Sequence, residues 1–260
     1  MPRDLFGNNT EAAGKRLEGE DGGPMITIRR SEDRHRDHLH QQTVWLTFYP
    51  RDRADPSGDR FGTLESLGEH RLPPNAQAPL HVHHEAEVIT YVQEGALRFR
   101  DSGGATGILQ AGDFQRMTCA GALRRSETHA SRRRWAHTFH LWFHGVRGKL
   151  VSGQEQKRFS RADRRGSLCL VASPDAREGS LRLHQDVLLF SALLEPGHHT
   201  FHELLPGRGA WLHLVKGEAT LGDSILTTGD GAGIVNERAV SVTAEEETEI
   251  LMLDLQLPPT

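Results

Sequence analysis

The chain has 260 residues, a quarter of them charged, with a formal net charge of −4 and a pI near 6.5. That length supports a sizeable core in one large or two medium domains, and the weakly acidic balance gives no general attraction to nucleic acid. Two cysteines, Cys119 and Cys169, make neither a disulfide framework nor a C-x-x-C motif, which fits a reducing cytoplasm, and no apolar run reaches the ~18 residues of a membrane-spanning helix.

Residues 1–24 are polar, rich in Gly and charge, and lack a signal-type apolar core, so a disordered tail is expected there. From Thr43, VWLTFY and then RFGTLESLGEHRL alternate apolar and polar residues as half-buried strands do. A proline-rich loop over 73–79 leads to His81 and His83. On an extended strand, positions two apart face the same side, so both imidazoles can converge on one ion, and Glu85 and Glu87 share their parity. The chain continues as VITYV, turns at Glu94-Gly95, runs as ALRFR and turns again over Asp101–Gly104. After Glu127 come a loop with Arg132, Arg133 and Arg134 and a further strand, TFHLWFHGV. Residues 145–167 are charged and poor in apolar side chains, which suits a linker containing a short helix.

The second half repeats the first. Tyr91-VQEGALRF followed by LQAGD, ending at Asp113, has its counterpart in His213-LVKGEATL followed by LTTGD, ending at Asp230. Such repetition argues for duplicated antiparallel units. With Gly95 placed on Gly217, Glu203 falls at the His81 position, Leu205 at His83 and Gly209 at Glu87. The second unit therefore lacks the chelating pair, and His198, His199, His202 and His213 are expected to be polar rim or surface residues.

The H-x-H of His81 and His83, the glutamate four further on, TYV-x-EG, Arg100-Asp101-Ser102, Gly112-Asp113, Gln115-x-Met117-Thr118 and Ser126-Glu127 together resemble the N-terminal cupin of the pirin family. The run Met25-Ile-Thr-Ile-Arg-Arg is similar to the start of bacterial pirin-like proteins. The resemblance implies an all-β bicupin: two double-stranded β-helix (jelly-roll) barrels over 25–150 and 168–257, joined by a linker over 151–167. It also implies a divalent metal, most often iron, held by two histidines of the first motif and by the histidine and glutamate of an H-x-E. Carried onto this chain, the metal ligands are His81, His83 and Glu127. Glu127 doubles as the catalytic base of a quercetin 2,3-dioxygenase-like reaction on a flavonol, in a monomeric, cytoplasmic protein without direct contacts to nucleic acid or membrane. Other members are described as transcriptional co-regulators.

The third histidine is missing, because the position two before Glu127 is Arg125. A guanidinium stays protonated and offers only donors, so it cannot ligate a cation and instead seeks a carboxylate. Glu127, Glu85 and Glu87 are the candidate partners. Two arrangements would keep a metal. In one, Arg125 turns to solvent and leaves a two-histidine, one-carboxylate set; in the other, His129 supplies the missing imidazole. Two functions follow, a flavonol dioxygenase and a non-catalytic bicupin that binds a small ligand or a regulatory partner. Cys119 reads as a packed residue rather than a nucleophile, the arginines from 124 to 134 as a solvated loop, and Trp135 and Trp142 as barrel packing.

Overall fold

The computed structural model describes residues 23, 25–39, 41–48, 60–77, 81–143 and 150–258. The tail expected over 1–24 lies outside them apart from Gly23, as do parts of the loops over 73–80 and 144–149. Among the described residues no helix is long and apolar enough to cross a membrane.

Two seven-stranded and two four-stranded sheets build two barrels. In the first, the long sheet runs in space through Gly153–Arg158, Asp113–Cys119, Ala86–Glu94, Ala136–Phe143, Leu64–Leu72, Gln42–Leu46 and His35–Leu39. The short sheet facing it is His81–His83, Leu123–His129, Ala96–Asp101 and Thr106–Gln110. In the second barrel the long sheet contains Met25–Arg29, Gly231–Val235, Arg208–Lys216, Thr248–Gln256, Val187–Leu194, Cys169–Ser173 and Leu181–Arg182. Its short sheet is His199–Glu203, Ala239–Ala244, Glu218–Leu221 and Ser224–Thr227. Rolling two sheets onto one another covers both faces that carry apolar residues.

The duplication extends to the turns. Gly95 and Gly217 both have positive φ, +77° and +98°, and in each a Cβ would press on a backbone carbonyl, of Trp135 or of Glu247. At the Gly-Asp turns, Asp113 Oδ2 accepts the Gln110 N–H at 2.7 Å and Asp230 Oδ2 accepts the Thr227 N–H at 3.0 Å. The carboxylate thereby satisfies a donor that the tight turn leaves without a ladder partner.

The barrels also exchange elements. Met25–Arg29 pairs with Gly231–Val235 of the second barrel. Within the segment expected to be linker, Gly153–Arg158 adds a strand to the first barrel beside Asp113–Cys119. The rest of that segment forms the short helix Arg161–Arg164, closed by a capping box in which Ser160 and Asp163 satisfy each other's backbone N–H.

Side-chain parity divides the interior into three regions. Odd positions of Ala86–Glu94 and Thr248–Gln256, such as Ile89, Tyr91, Leu251 and Leu253, meet Trp211, Phe114 and Phe139 in one apolar core between the barrels. The second barrel is filled by aliphatic residues including Leu212, Leu226, Val242 and Ile250. Among the described residues the first barrel holds small apolar clusters around Leu97 and Phe99 and around Val88 and Met117. Between them lies a polar band, and that band forms the site.

Candidate functional site in the first barrel

His70, His83, Val88, Thr90, Met117, Arg125, Glu127, His140 and Trp142 line a cavity of about 30 Å³. Leu123–His129 supplies its floor. Arg125 and Glu127 are two apart on this strand and both point inward, 1% and 4% exposed. Arg125 Nε donates to Glu127 Oε1 at 2.8 Å, Nη2 donates to Gln115 Oε1 at 2.6 Å, and the guanidinium carbon lies 4.3 Å from the centre of the Phe99 ring. Its remaining nitrogen, Nη1, meets the Met117 thioether at 3.5 Å, a weak acceptor. The other carboxylate oxygen, Glu127 Oε2, lies 3.8 Å from His140 Nε2. Of the three carboxylates that the sequence leaves open as partners of Arg125, the structure pairs it with Glu127.

His81 and His83 lie on one short strand, where Arg125 pairs with His81 and Leu123 with His83 in the backbone register. The His83 ring is buried and stacks on Trp142 with centroids 4.5 Å apart and planes 10° from parallel. The side chain of His81 lies outside the described residues. Among those described, no three His, Cys, Asp or Glu side chains are grouped as an ion requires.

Several sequence expectations need correction. Glu85 and Glu87 do not continue the parity of the histidines, because the strand breaks at His84-Glu85, where Glu85 adopts φ +42°. Glu85 is exposed. Glu87 is fully buried on the opposite face, where it accepts Thr118 Oγ1 at 3.0 Å, the His184 N–H at 2.9 Å and His184 Nδ1 at 2.8 Å. Arg125 does not turn to solvent. His129 spends Nδ1 on the Ser131 N–H at 2.7 Å and does not line the cavity. The arginines are not one solvated loop, since Arg125 is buried while Arg124, Arg132, Arg133 and Arg134 are exposed. Trp135 is 53% exposed rather than packed.

His70 and His140 were not singled out from the sequence, although strand parity could have found them. His140 lies two from Thr138 and Trp142 on a strand whose even positions face the cavity, and its ring sits 4.6 Å from that of His70. Burial pushes the Cys119 thiol up to about 11 against the pull of the Arg125 charge. A packed, unreactive residue results.

In the second barrel, Glu203 and Leu205, the counterparts of the first motif, are both exposed. Among the histidines, His198 donates to Gly166 O at 2.7 Å, His199 lies 2.8 Å from Ser241 Oγ and His202 donates to Asp254 Oδ2 at 2.8 Å. His213 is not a rim residue. It is fully buried between the barrels, edge-on to Phe139.

The pirin family profile matches residues 29–143, and that of the quercetinase C-terminal cupin domain matches residues 170–255. Quercetin 2,3-dioxygenase of Escherichia coli K12 is 32% identical over 90% of this chain and 100% of its own length. A pirin-like protein of Caulobacter vibrioides is 28% identical over 77% of this chain and 86% of its own. The crystal structure of the bacterial pirin YhhW from Escherichia coli in complex with nickel(II) superposes with a TM-score of 0.82 at 30% identity, covering 90% of this chain and 100% of that one. The duplicated turns, the two barrels and matches over both halves lead to one conclusion: this chain belongs to the pirin family and is a bicupin.

Proposed function

We propose that this protein is a pirin-type bicupin that binds a small aromatic ligand in its first barrel, with the metal-dependent dioxygenase chemistry of its relatives impaired. The relatives named for quercetin 2,3-dioxygenase and the nickel-bound pirin supply the ligand class and the divalent metal. The observation that carries the impairment is the buried Arg125–Glu127 pair. His83 and Glu127 alone would suit a cation. Arg125 lies on the strand of Glu127, which pairs directly with that of His83, spends one Glu127 oxygen and places a fixed positive charge beside that carboxylate. Arg125 takes the histidine's place in the H-x-E, and although His70 and His140 also line the cavity, no three of the described His and carboxylate side chains are grouped as an ion requires. Losing even an outer partner of a ligand typically costs ~10–100-fold in metal affinity or activity, and exchanging a ligand for a like charge costs more. Free Cys119 and Cys169 support a cytoplasmic location.

The test is elemental analysis of protein purified without added metal, together with quercetin turnover at saturating Ni²⁺ or Fe²⁺. Substoichiometric metal and turnover far below that of the Escherichia coli relative are expected. Stoichiometric metal with full turnover would overturn the reading and restore the enzyme.

A further inference from the structure

We propose that the Arg125 cavity is a carboxylate-binding site, and that its ligand is a small aryl or alkyl monocarboxylate held by charge and hydrogen bonds. This inference rests on the reading above, in which Arg125 takes the place of a metal.

The guanidinium of Arg125 has more N–H donors than its partners take up. Its Nε–Nη2 edge is engaged, Nε by Glu127 and Nη2 by Gln115. Nη1, away from that edge, meets only a sulfur among the described residues. A buried, charged N–H facing a thioether gains little, whereas a charge-assisted bond to a carboxylate oxygen is roughly twice as strong as a neutral one. The Thr90 hydroxyl adds a further donor to the lining. Its one carboxylate, Glu127, already gives Oε1 to Arg125. A ligand with several acceptor lone pairs and no need to donate suits that lining.

Size and charge select among anions. At the usual ~10–15 Å³ per water centre, the cavity of about 30 Å³ holds on the order of two waters, which matches the planar, three-atom carboxylate head. A phosphate dianion brings a second charge, for which that lining offers no second guanidinium or ammonium group. The half-buried Trp142, stacked flat on His83, lines the cavity together with Val88, so an apolar or aromatic remainder has an apolar surface to pack on.

The test is calorimetric titration of the full chain with sodium benzoate, its neutral isostere benzamide, and inorganic phosphate. Benzoate is expected to bind one to one, with benzamide and phosphate at least tenfold weaker. Arg125→Gln should weaken benzoate at least tenfold and abolish its preference over benzamide. Should that variant fail to fold, the selectivity of the wild-type protein and the bromine position in crystals grown with 4-bromobenzoate decide the matter. Equal binding of benzoate and benzamide, no benzoate binding, or bromine outside the first barrel would overturn the proposal. A parallel Ni²⁺ titration separates the two levels. Tight Ni²⁺ binding in the first barrel sinks the underlying reading, whereas absence of both Ni²⁺ and benzoate binding sinks only this inference.

Discussion

Arg125 and Glu127 are neighbours on the same face of one strand, joined at 2.8 Å inside a barrel. A buried pair of this kind is costly to break from one side, because the surviving charge is left without compensation. Arg125→Met alone should therefore destabilise the protein by about 3–5 kcal/mol. Adding Glu127→Gln removes the stranded charge and should restore most of that loss. Urea denaturation of the wild type, both single variants and the double variant measures the coupling, and additive losses would show that the pair is not the unit of stability.

Arg125→His returns an imidazole to the position two before Glu127 and removes the like charge. Ni²⁺ affinity should rise by more than tenfold, about 1.4 kcal/mol, in anaerobic calorimetry. Equal, tight binding by wild type and variant would mean that Arg125 does not exclude the ion.

The distinction between a legible fold and a partly legible site comes from range. The H-x-H motif, the Gly-Asp turns and the repeat around Gly95 and Gly217 are local patterns, each with a local physical cause, so the barrels could be expected from the sequence. Arg125 could be expected to hold a carboxylate, and Glu127, two positions away on its own strand, was one of three candidates. Glu87 could not be assigned to His184, 97 positions away, since neither the break at Glu85 nor the packing of the two barrels leaves a periodic signal. His213 was misplaced for a related reason. Its strand faces the other barrel, and a sequence does not show which sheet face becomes an interface.

The Glu87 carboxylate is held by Thr118 and by two groups of His184, its backbone N–H and its ring. His184→Ala removes only the ring and keeps the backbone donor, so the loss should be about 1–2 kcal/mol, whereas Glu87→Ala strands three donors and should cost at least about 3 kcal/mol. Thermal unfolding of both variants gives the order. A larger loss for His184→Ala would place the importance of that ring elsewhere.

Acid should destabilise the protein through the interface between the barrels. Burial, reinforced by the nearby Arg34 charge, pushes His213 down to about 3, and neither ring nitrogen has a hydrogen-bond partner among the described residues. The folded value lies below the unfolded one near ~6.5, so the unfolded chain takes up the proton first as pH falls. The neutral form's contribution is complete above pH ~6.5 and is lost progressively towards pH ~3, amounting to about 3 kcal/mol by pH ~4. His213→Leu should abolish most of that loss. At Glu69, burial would raise the carboxyl, but the His137 hydrogen bond and the Arg34 charge outweigh it and hold the group at about 2. Its contribution is present above pH ~4.5 and disappears towards pH ~2, a lower window that His213→Leu leaves in place. Denaturant midpoints of both proteins between pH 7 and 3 test this, and identical slopes from pH 6 to 4 would refute the role of His213.

One buried polar network joins the two barrels. Arg34 and His137 both bind Glu69 at 2.7 Å, His137 Nδ1 lies 3.2 Å from Gln93 Oε1, and Gln93 Nε2 reaches Glu249 Oε2 at 3.3 Å. Glu249 also accepts Tyr91 Oη and, at 2.9 Å, Arg164 Nη1, which bonds Ser191 Oγ as well. This buried network starts on strands of the first barrel, passes through the helix of the connecting segment and ends on strands of the second, within the shared apolar core. Partly satisfied networks in such surroundings are costly, and complete ones favour a single arrangement. The two barrels should therefore unfold in one calorimetric transition despite being separate folding patterns. Arg164→Met leaves Glu249 and Tyr91 buried without their cation and should destabilise by about 3–5 kcal/mol, enough to split the transition or lower it as a whole. Tyr91→Phe removes one hydroxyl and leaves the ion pair, so about 1–2 kcal/mol is expected. Two independent transitions in the wild-type protein, unaffected by either variant, would show that the network does not couple the barrels.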